Sequence, residues 1–142
     1  NLRVNGIIID CKFYHVKCAT IEEAHYLSAF LNTPSVNEFI KPFQTRGQLG
    51  ERDIHRRPFE HIPIPIFDAR NEQQRALVHL GKECHAIVSG LIKDGKVSGT
   101  VGRARGEVRE ILTRKLSEID VLARGLIGKA TRRLPRGFSV GS

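Results

Sequence analysis

Four arginines lie close together in a segment that is poor in large apolar residues: Arg46, Arg52, Arg56 and Arg57. Each guanidinium group presents a planar fork of donors that suits phosphate oxygens or the O6/N7 edge of guanine. Gly47 in the same segment permits a close approach of the main chain to a bound group. The chemistry that this pattern predicts is the binding of a polyanion.

Neighbouring polar side chains could add hydrogen bonds to base edges, because Gln44, Gln48 and His55 both donate and accept. We expect the contact residues to be Lys41, Gln44, Arg46, Gly47, Gln48, Arg52, His55, Arg56 and Arg57. The alternative is a solvated surface loop in which Glu51 and Asp53 balance the arginines. The spacing of these residues is compatible with both interpretations.

No familiar catalytic motif is present. The chain has neither a glycine-rich nucleotide-binding loop nor a GxSxG nucleophile elbow. The adjacent Glu22 and Glu23 fit the first turn of a helix, where the helix dipole favours acidic residues. A small enzyme that uses Asp53, His55 and Glu60 stays open as an alternative, but we expect no catalytic residue in this chain.

Cysteine and histidine spacing predicts neither a disulfide framework nor a bound metal. The three cysteines are Cys11, Cys18 and Cys84, with no CxxC pair, and the six histidines show no zinc-like spacing. No secretory signal is visible, so we expect a reducing cytoplasm. No apolar run approaches the ~20 residues that cross a bilayer, so we expect no membrane partner.

Positive charge is concentrated in the second half of the chain. The 142 residues carry a net charge of +8, of which residues 1–70 contribute +1 and residues 71–142 contribute +7. Such a field attracts polyanions. The chain begins at Asn1 and contains no methionine, so we expect it to be a piece of a longer protein.

The first half of the sequence predicts a strand, two helices and an extended segment. Apolar residues favour a strand over 7–18. Thr20 and Glu23 form a capping box for a first helix, and a second helix follows from Ser35 until Lys41-Pro42 stops it. Beyond the basic segment, alternating isoleucine and proline predict an extended stretch whose Ile62, Ile64 and Ile66 face the core.

The second half predicts two long helices. One runs from Asn71, its N-cap, to Ile92, and the other from Glu107 to Ile127 with Gly128 as its C-cap. Four glycines predict a flexible loop over 93–106. The expected fold is α+β: a small sheet with packed helices, followed by two long C-terminal helices. The expected units are a recognition core over 1–70, C-terminal helices over 71–130 and a basic disordered tail over 131–142.

Three stretches, in this order, resemble a known family. Residues 23–33, EAHYLSAFLNT, resemble the YLxaxLNS helix of target-recognition domains in DNA methyltransferases and restriction specificity subunits. GERDIHRRP at 50–58, IPIP at 62–65 and NEQQ at 71–74 are similar to that family's loop, ipiP segment and EQ helix. LSEIDVL at 116–122 resembles the closing EID helix of TaqI-like adenine-specific enzymes. Thr33 replaces the usual serine, and the aromatic YGL ending is replaced by GLIG at 125–128.

This resemblance implies the specificity domain of an adenine-N6 DNA methyltransferase from a restriction-modification or phage-defence system. Its partners would be double-stranded DNA and the catalytic domain of the same parent chain, with a nuclease domain or subunit left open. S-adenosylmethionine would bind in that catalytic domain, and this fragment would hold no cofactor. The Asn/Asp-Pro-Pro-Tyr/Phe motif of such enzymes does not occur here. The alternative is a helical interaction or scaffold domain whose positive charge is incidental.

Overall fold

The structure, a computed structural model, describes residues 17–44 and 62–133, and side chains only as far as residue 129. This part of the chain contains five α-helices and one short 3₁₀ helix at Lys41–Phe43. The helices are α1 (Ile21–Leu31), α2 (Pro34–Ile40), α3 (Glu72–Lys93), α4 (Val101–Ile111) and α5 (Thr113–Arg133).

The α+β prediction is wrong, since the described residues form helices and no strand. Most of the expected strand over 7–18 lies outside them, and Lys17 and Cys18 have no regular structure. The stretch Ile62–Phe67, predicted to be extended, belongs to no helix and pairs with no second strand in the described ranges. The amide of Ile64 donates to the carbonyl of Ile62 at 2.9 Å, which forms a γ-turn at Pro63. Pro63 and Pro65 have no N–H to donate, and this removes the donors that a sheet ladder needs.

Local capping explains where the first two helices begin. The Thr20 side chain accepts a 3.1 Å hydrogen bond from the amide of Glu23, so Thr20 is the predicted N-cap of α1. The Glu23 carboxylate in turn accepts from the amide of Ala19 at 2.6 Å. Thr33 caps α2 and Pro34 is its first residue, one position earlier than the sequence predicted.

Helix α3 ends where a glycine can adopt a left-handed conformation. Its N-cap is Asn71, as predicted. At the other end, Gly95 has φ +64°, and its amide donates to the carbonyl of Ile92 at 3.1 Å. The next amide, that of Lys96, donates to Leu91 at 2.9 Å. These two bonds form a Schellman motif, which satisfies the last carbonyls of the helix.

The predicted loop over 93–106 and the single helix over 107–127 are both wrong in part. Residues 101–106 belong to α4, and the helical stretch is interrupted at Leu112. The hydroxyl of Thr113 donates to the carbonyl of Arg109 at 2.9 Å, a type of bond that often bends a helix. Beyond this break α5 continues to Arg133, so Gly128 does not cap it and the predicted tail is helical over 131–133. Residues 134–142 of the tail lie outside the residues that the structure describes.

Four elements besides the extended segment build one hydrophobic core. Helix α1 packs chiefly against α3, and α5 packs against α3 and α2. The buried members are Tyr26, Ala29, Phe30, Val36, Ile40, Ile62, Leu77, Val78, Ile119, Ala123 and Leu126. Helix α4 has no buried residue and lies against α5. Within residues 17–44 and 62–133, every helix is too short or too polar to span a lipid bilayer.

Candidate nucleic-acid interface

The described residues flank the basic stretch 46–57: Lys41 and Gln44, themselves predicted contact residues, precede it, and Ile62 follows it. On the first side, the 3₁₀ helix Lys41–Phe43 continues directly from α2, and the amide of Gln44 donates to the carbonyl of Lys41 at 3.3 Å. The Lys41 ammonium pairs with the Glu38 carboxylate at 3.1 Å on the surface. The side-chain oxygen of Gln44 is buried and has no hydrogen-bond partner among the described residues. The basic segment therefore begins from the helical scaffold.

A buried carboxylate joins this scaffold to α5. Asp120, only 7% exposed, accepts a 2.9 Å hydrogen bond from the Ser35 amide at the start of α2. Arg124, one turn later on α5, donates to Asp120 at 2.6 Å and to the Ser35 hydroxyl at 2.7 Å. Burial raises the pKa of Asp120, but the Ser35 and Arg124 hydrogen bonds outweigh it, and the net pKa lies below its usual value.

On the other side, side chains from two helices hold the extended stretch. The Tyr26 hydroxyl, from α1, donates to the carbonyl of Pro65 at 2.9 Å. Burial also raises the pKa of Tyr26, so the phenol stays protonated and can donate this bond. The buried Gln74 of α3 donates to the carbonyl of Ile66 at 3.1 Å and accepts from the amide of Asp68 at 2.6 Å.

The predicted inward alternation of the isoleucines is only partly confirmed. Ile62 is buried and Ile64 packs against the core, but Ile66 is 92% exposed. The prediction was wrong for Ile66 because its position is fixed by the main-chain bond to Gln74 and not by burial of its side chain. Sequence reasoning missed Gln74, since a glutamine in an amphipathic helix is usually exposed.

Of the nine predicted contact residues, the structure describes Lys41 and Gln44. The other seven lie outside the described residues: Arg46, Gly47, Gln48, Arg52, His55, Arg56 and Arg57. The alternative enzymatic group, Asp53, His55 and Glu60, lies outside them as well. The predictions for all of these residues stay predictions.

Many of the described cations are paired with carboxylates and are partly neutralised. These ion pairs are Lys41–Glu38, Arg70–Asp68, Lys82–Glu22, Lys96–Asp94, Arg114–Glu118, Lys115–Glu83 and Arg124–Asp120. The hydrogen bond from Lys115 is the main reason that the pKa of Glu83 lies below its usual value. Lys129 donates to the side-chain oxygen of Gln73 at 2.6 Å. Arg124 and Lys129, both in the positively charged second half of the chain, thus contact neighbouring elements of the scaffold.

Helix α4 differs, because its arginines make no ion pair within the described part of the chain. Arg105 and Arg109 are both exposed and stand four residues apart, so they share one side of the helix. Gly102 and Gly106 lie beside them, and a Cβ at either glycine would meet no atom within 4 Å. We call this side the arginine ridge and define it by Arg105 and Arg109.

Acidic residues occupy the opposite side of α4. Glu107 accepts from the amide of Ser98 at 2.9 Å and also bonds its hydroxyl, and these bonds lower the pKa of Glu107. Arg103 and Glu110 lie on this side too, by helical periodicity. The arginine ridge therefore carries uncompensated positive charge next to exposed backbone. Sequence reasoning missed it because the glycines of 93–106 were interpreted as a loop, although Val101, Ala104 and Val108 have helical spacing.

An open apolar groove of about 640 Å³ runs between α3 and α5. It is lined by Ala76, His79, Leu80, Ser117, Glu118, Val121 and Leu122. Val121 at its edge is 69% exposed. A groove of this kind is a candidate contact surface for another helix.

The described ranges contain no group of three or more acidic, histidine or cysteine side chains in position to hold a metal ion. The described cysteines, Cys18 and Cys84, form no disulfide with each other. Comparison with family models, curated proteins and solved structures finds no match for this chain.

Proposed function

We propose that this chain is the sequence-specific DNA-recognition domain of an adenine-N6 DNA methyltransferase, from a restriction-modification or phage-defence system in the cytoplasm. The S-adenosylmethionine and the catalytic groups belong to a separate domain of the parent chain. A methyltransferase must extrude its target base, so another surface has to hold the duplex and read its sequence. Recognition, without chemistry, is the role of this chain.

The distribution of cations is the observation that carries this proposal. Seven of the described cations pair with carboxylates, whereas Arg105 and Arg109 are exposed, share one side of α4 and make no ion pair with another described residue. Uncompensated guanidinium groups gain most from phosphates, because each contact releases condensed counterions. Phosphate contacts place the protein on the duplex, and base-edge contacts give the sequence preference.

The anchored ends of the contact segment support the same function. Residues that read base edges need a fixed starting point, since a hydrogen bond to a base tolerates little displacement. The main chain is held at Ser35 by Asp120 before the segment, and at Pro65 and Ile66 by Tyr26 and Gln74 after it. These bonds fix the described main chain on both sides of residues 45–61.

A selection experiment tests sequence-specific recognition. The full chain is incubated with a pool of duplexes of random sequence at physiological salt, and the bound fraction is sequenced over several rounds. The proposal predicts enrichment of one short motif and tighter binding to that motif than to a scrambled duplex. Enrichment of no motif, with equal affinity for both duplexes, would contradict it.

The groove between α3 and α5 favours a second candidate function, a helical protein-interaction domain. Its apolar lining and the exposed Val121 fit a partner helix. The molar mass in solution, measured with and without duplex DNA, separates the two functions. A stable oligomer whose mass does not change when DNA is added supports the interaction domain. A monomer whose mass increases only when DNA is added supports DNA recognition.

A further inference from the structure

Helix α4 carries the arginine ridge, but few contacts hold it in place. It has no buried residue, and α5 is the one described helix against which it packs closely. Its N-cap residue, Thr100, makes no side-chain bond to the first free amides, and both Gly102 and Gly106 have low helix propensity. Because an isolated helix of 11 residues is marginal in water, α4 needs a tertiary contact to keep its position.

One polar contact ties α4 to the loop that precedes it. Glu107, in the second turn of α4, accepts a hydrogen bond from the amide of Ser98 at 2.9 Å and also bonds the Ser98 hydroxyl. Both residues are half-buried, so water competes less for these bonds than it does at an exposed site. We call this pair of bonds the Ser98–Glu107 link.

The link connects α4 to the fixed end of α3. The amides of Gly95 and Lys96 donate to the carbonyls of Ile92 and Leu91 in the last turn of α3. Ser98 follows Lys96 by two residues, so it stands next to main chain that the Schellman motif already holds. Through Ser98, the side chain of Glu107 is therefore joined to the end of the longest helix, and α4 cannot rotate freely about its axis.

The side of α4 that the link holds is opposite to the arginine ridge. Arg105 precedes Glu107 by two residues and Arg109 follows it by two, so each lies about 160° from Glu107 around the helix. While Glu107 is held against the loop, both arginines face away from the loop and are exposed. The link thus determines which side of α4 meets a phosphate backbone.

We propose that Glu107 and Ser98 position the arginine ridge by fixing the rotation of α4. This inference rests on the proposed DNA-recognition function and deepens it, because it gives a role to two residues that do not themselves touch DNA. A ridge that could rotate would have to be ordered when DNA binds, and the ordering of long side chains lowers affinity. A ridge that is already fixed avoids this loss.

The charge and the position of Glu107 have opposite effects on DNA binding, so one substitution separates them. Glu107→Ala removes a negative charge, which by itself should strengthen binding to phosphates. If the link positions the ridge, this variant should instead raise the Kd for a labelled random-sequence duplex by about 3–10-fold. Ser98→Ala removes the hydroxyl bond without a change in charge and should raise the Kd in the same direction, by a smaller factor.

Glu110→Ala is the matched control. Glu110 is exposed on the same side of α4 as Glu107, and it makes no ion pair with another described residue. The control removes the same charge as Glu107→Ala but leaves the link intact, so the Kd should stay unchanged or fall slightly. Because α4 has no buried residue, we expect all three variants to keep the folded core of the unaltered chain.

Two further measurements show whether Glu107 acts through the ridge. In the Arg105→Ala/Arg109→Ala background, Glu107→Ala should raise the Kd no further, because no ridge is left to position. Amide hydrogen exchange tests the link without DNA. The amides of α4 should exchange faster in Glu107→Ala than in the unaltered chain, whereas the amides of α1 should keep their rates.

The inference is overturned if Glu107→Ala binds the duplex as tightly as Glu110→Ala, or if its loss of affinity persists without the ridge arginines. It is also overturned if hydrogen exchange in α4 is the same with and without the Glu107 side chain. Failure of the recognition function gives a different result: the unaltered chain then shows no salt-sensitive binding to the duplex, and the inference is overturned with it.

Discussion

The side-chain amide of Gln74 donates a 3.1 Å hydrogen bond to the carbonyl oxygen of Ile66. The oxygen of the same amide accepts from the main chain two residues later, at Asp68. Gln74 is buried, whereas the Ile66 side chain is exposed. The side chain of Gln74 therefore holds the backbone of residues 66–68 by hydrogen bonds. In a sheet, neighbouring strands would make such bonds.

Replacing Gln74 with alanine should lower the free energy of unfolding by about 1–3 kcal/mol, because two main-chain groups lose their partner. Gln73 is a matched control of the same residue type in the neighbouring position. Its side-chain oxygen bonds the exposed Lys129, so Gln73→Ala should cost well under 1 kcal/mol. Urea unfolding followed by circular dichroism measures both. Equal losses in the two variants would show that Gln74 has no special role.

Glycines 81 and 90 of α3 should respond to alanine in opposite directions. A Cβ at position 81 would lie 2.8 Å from the His25 carbonyl oxygen, so α1 must shift, and we expect a loss of about 1–3 kcal/mol. A Cβ at position 90 meets nothing within 4 Å, so Gly90→Ala should gain about 0.5–1 kcal/mol from helix propensity. Thermal unfolding measures both variants. A stabilising Gly81→Ala would refute the close approach of α1 and α3.

Replacing Asp120 should lower the free energy of unfolding more than replacing its partner Arg124. Asp120→Ala leaves the Ser35 amide without an acceptor, so we expect a loss of about 1–3 kcal/mol. The Arg124 side chain is 69% exposed, and Arg124→Ala should cost about 0–1 kcal/mol. Chemical unfolding at neutral pH compares them. A larger loss for Arg124→Ala would contradict the assignment of Asp120 as the joint between α2 and α5.

The same carboxylate gives a pH dependence with a definite sign. Because the pKa of Asp120 is lowered in the folded chain, its contribution is present above the unfolded pKa of about 3.9 and is lost as the pH falls through the folded pKa. Asp120→Asn should therefore lose less stability than the unaltered chain between neutral pH and pH ~3. If the free energy of unfolding falls equally in the two proteins as the pH is lowered, this prediction is contradicted.

The arginine ridge predicts a change in the salt dependence of DNA binding. Replacing both Arg105 and Arg109 with alanine should flatten the plot of log K against log salt by about 1.8, or about 0.9 for each lost phosphate contact. Arg103→Ala removes a charge from the opposite side of α4 and should leave the slope unchanged. Fluorescence anisotropy with a labelled duplex measures all three proteins. If the double variant has the same slope as the unaltered chain, α4 does not contact the DNA phosphates.

Helix starts were predictable because capping depends on neighbouring residues alone. Thr20 with Glu23 and Asn71 with Gln74 satisfy the first free amides of α1 and α3 through bonds that span three residues. The end of α3 was predicted to within one residue, at Ile92 against Lys93, but the helical part of 93–106 was missed, because only Gly95 of its four glycines adopts a positive φ. Gly102 and Gly106 are helical, because the apolar side of α4 packs on α5 in spite of their low propensity.

Tertiary contacts account for what the sequence did not reveal. The sequence predicted an extended stretch at Pro65 and Ile66. It did not predict that their carbonyl oxygens accept hydrogen bonds from Tyr26 of α1 and Gln74 of α3, because hydrophobic periodicity does not show which helices pack together. The contact of His25 with His85 depends likewise on the approach of α1 to Gly81. The contact residues 46–57 were proposed from type and spacing, and they remain predictions.

The most direct measurement of the central claim is the affinity for duplex DNA over a series of salt concentrations, for the unaltered chain and for Arg52→Ala/Arg56→Ala/Arg57→Ala. Arg70→Ala is the control, since Arg70 is exposed and pairs with Asp68 at 3.2 Å. We predict steep salt dependence for the unaltered chain and the control, and a slope lower by roughly 2–3 in the triple variant. Binding that is insensitive to salt, or a triple variant that binds like the unaltered chain, would contradict the account.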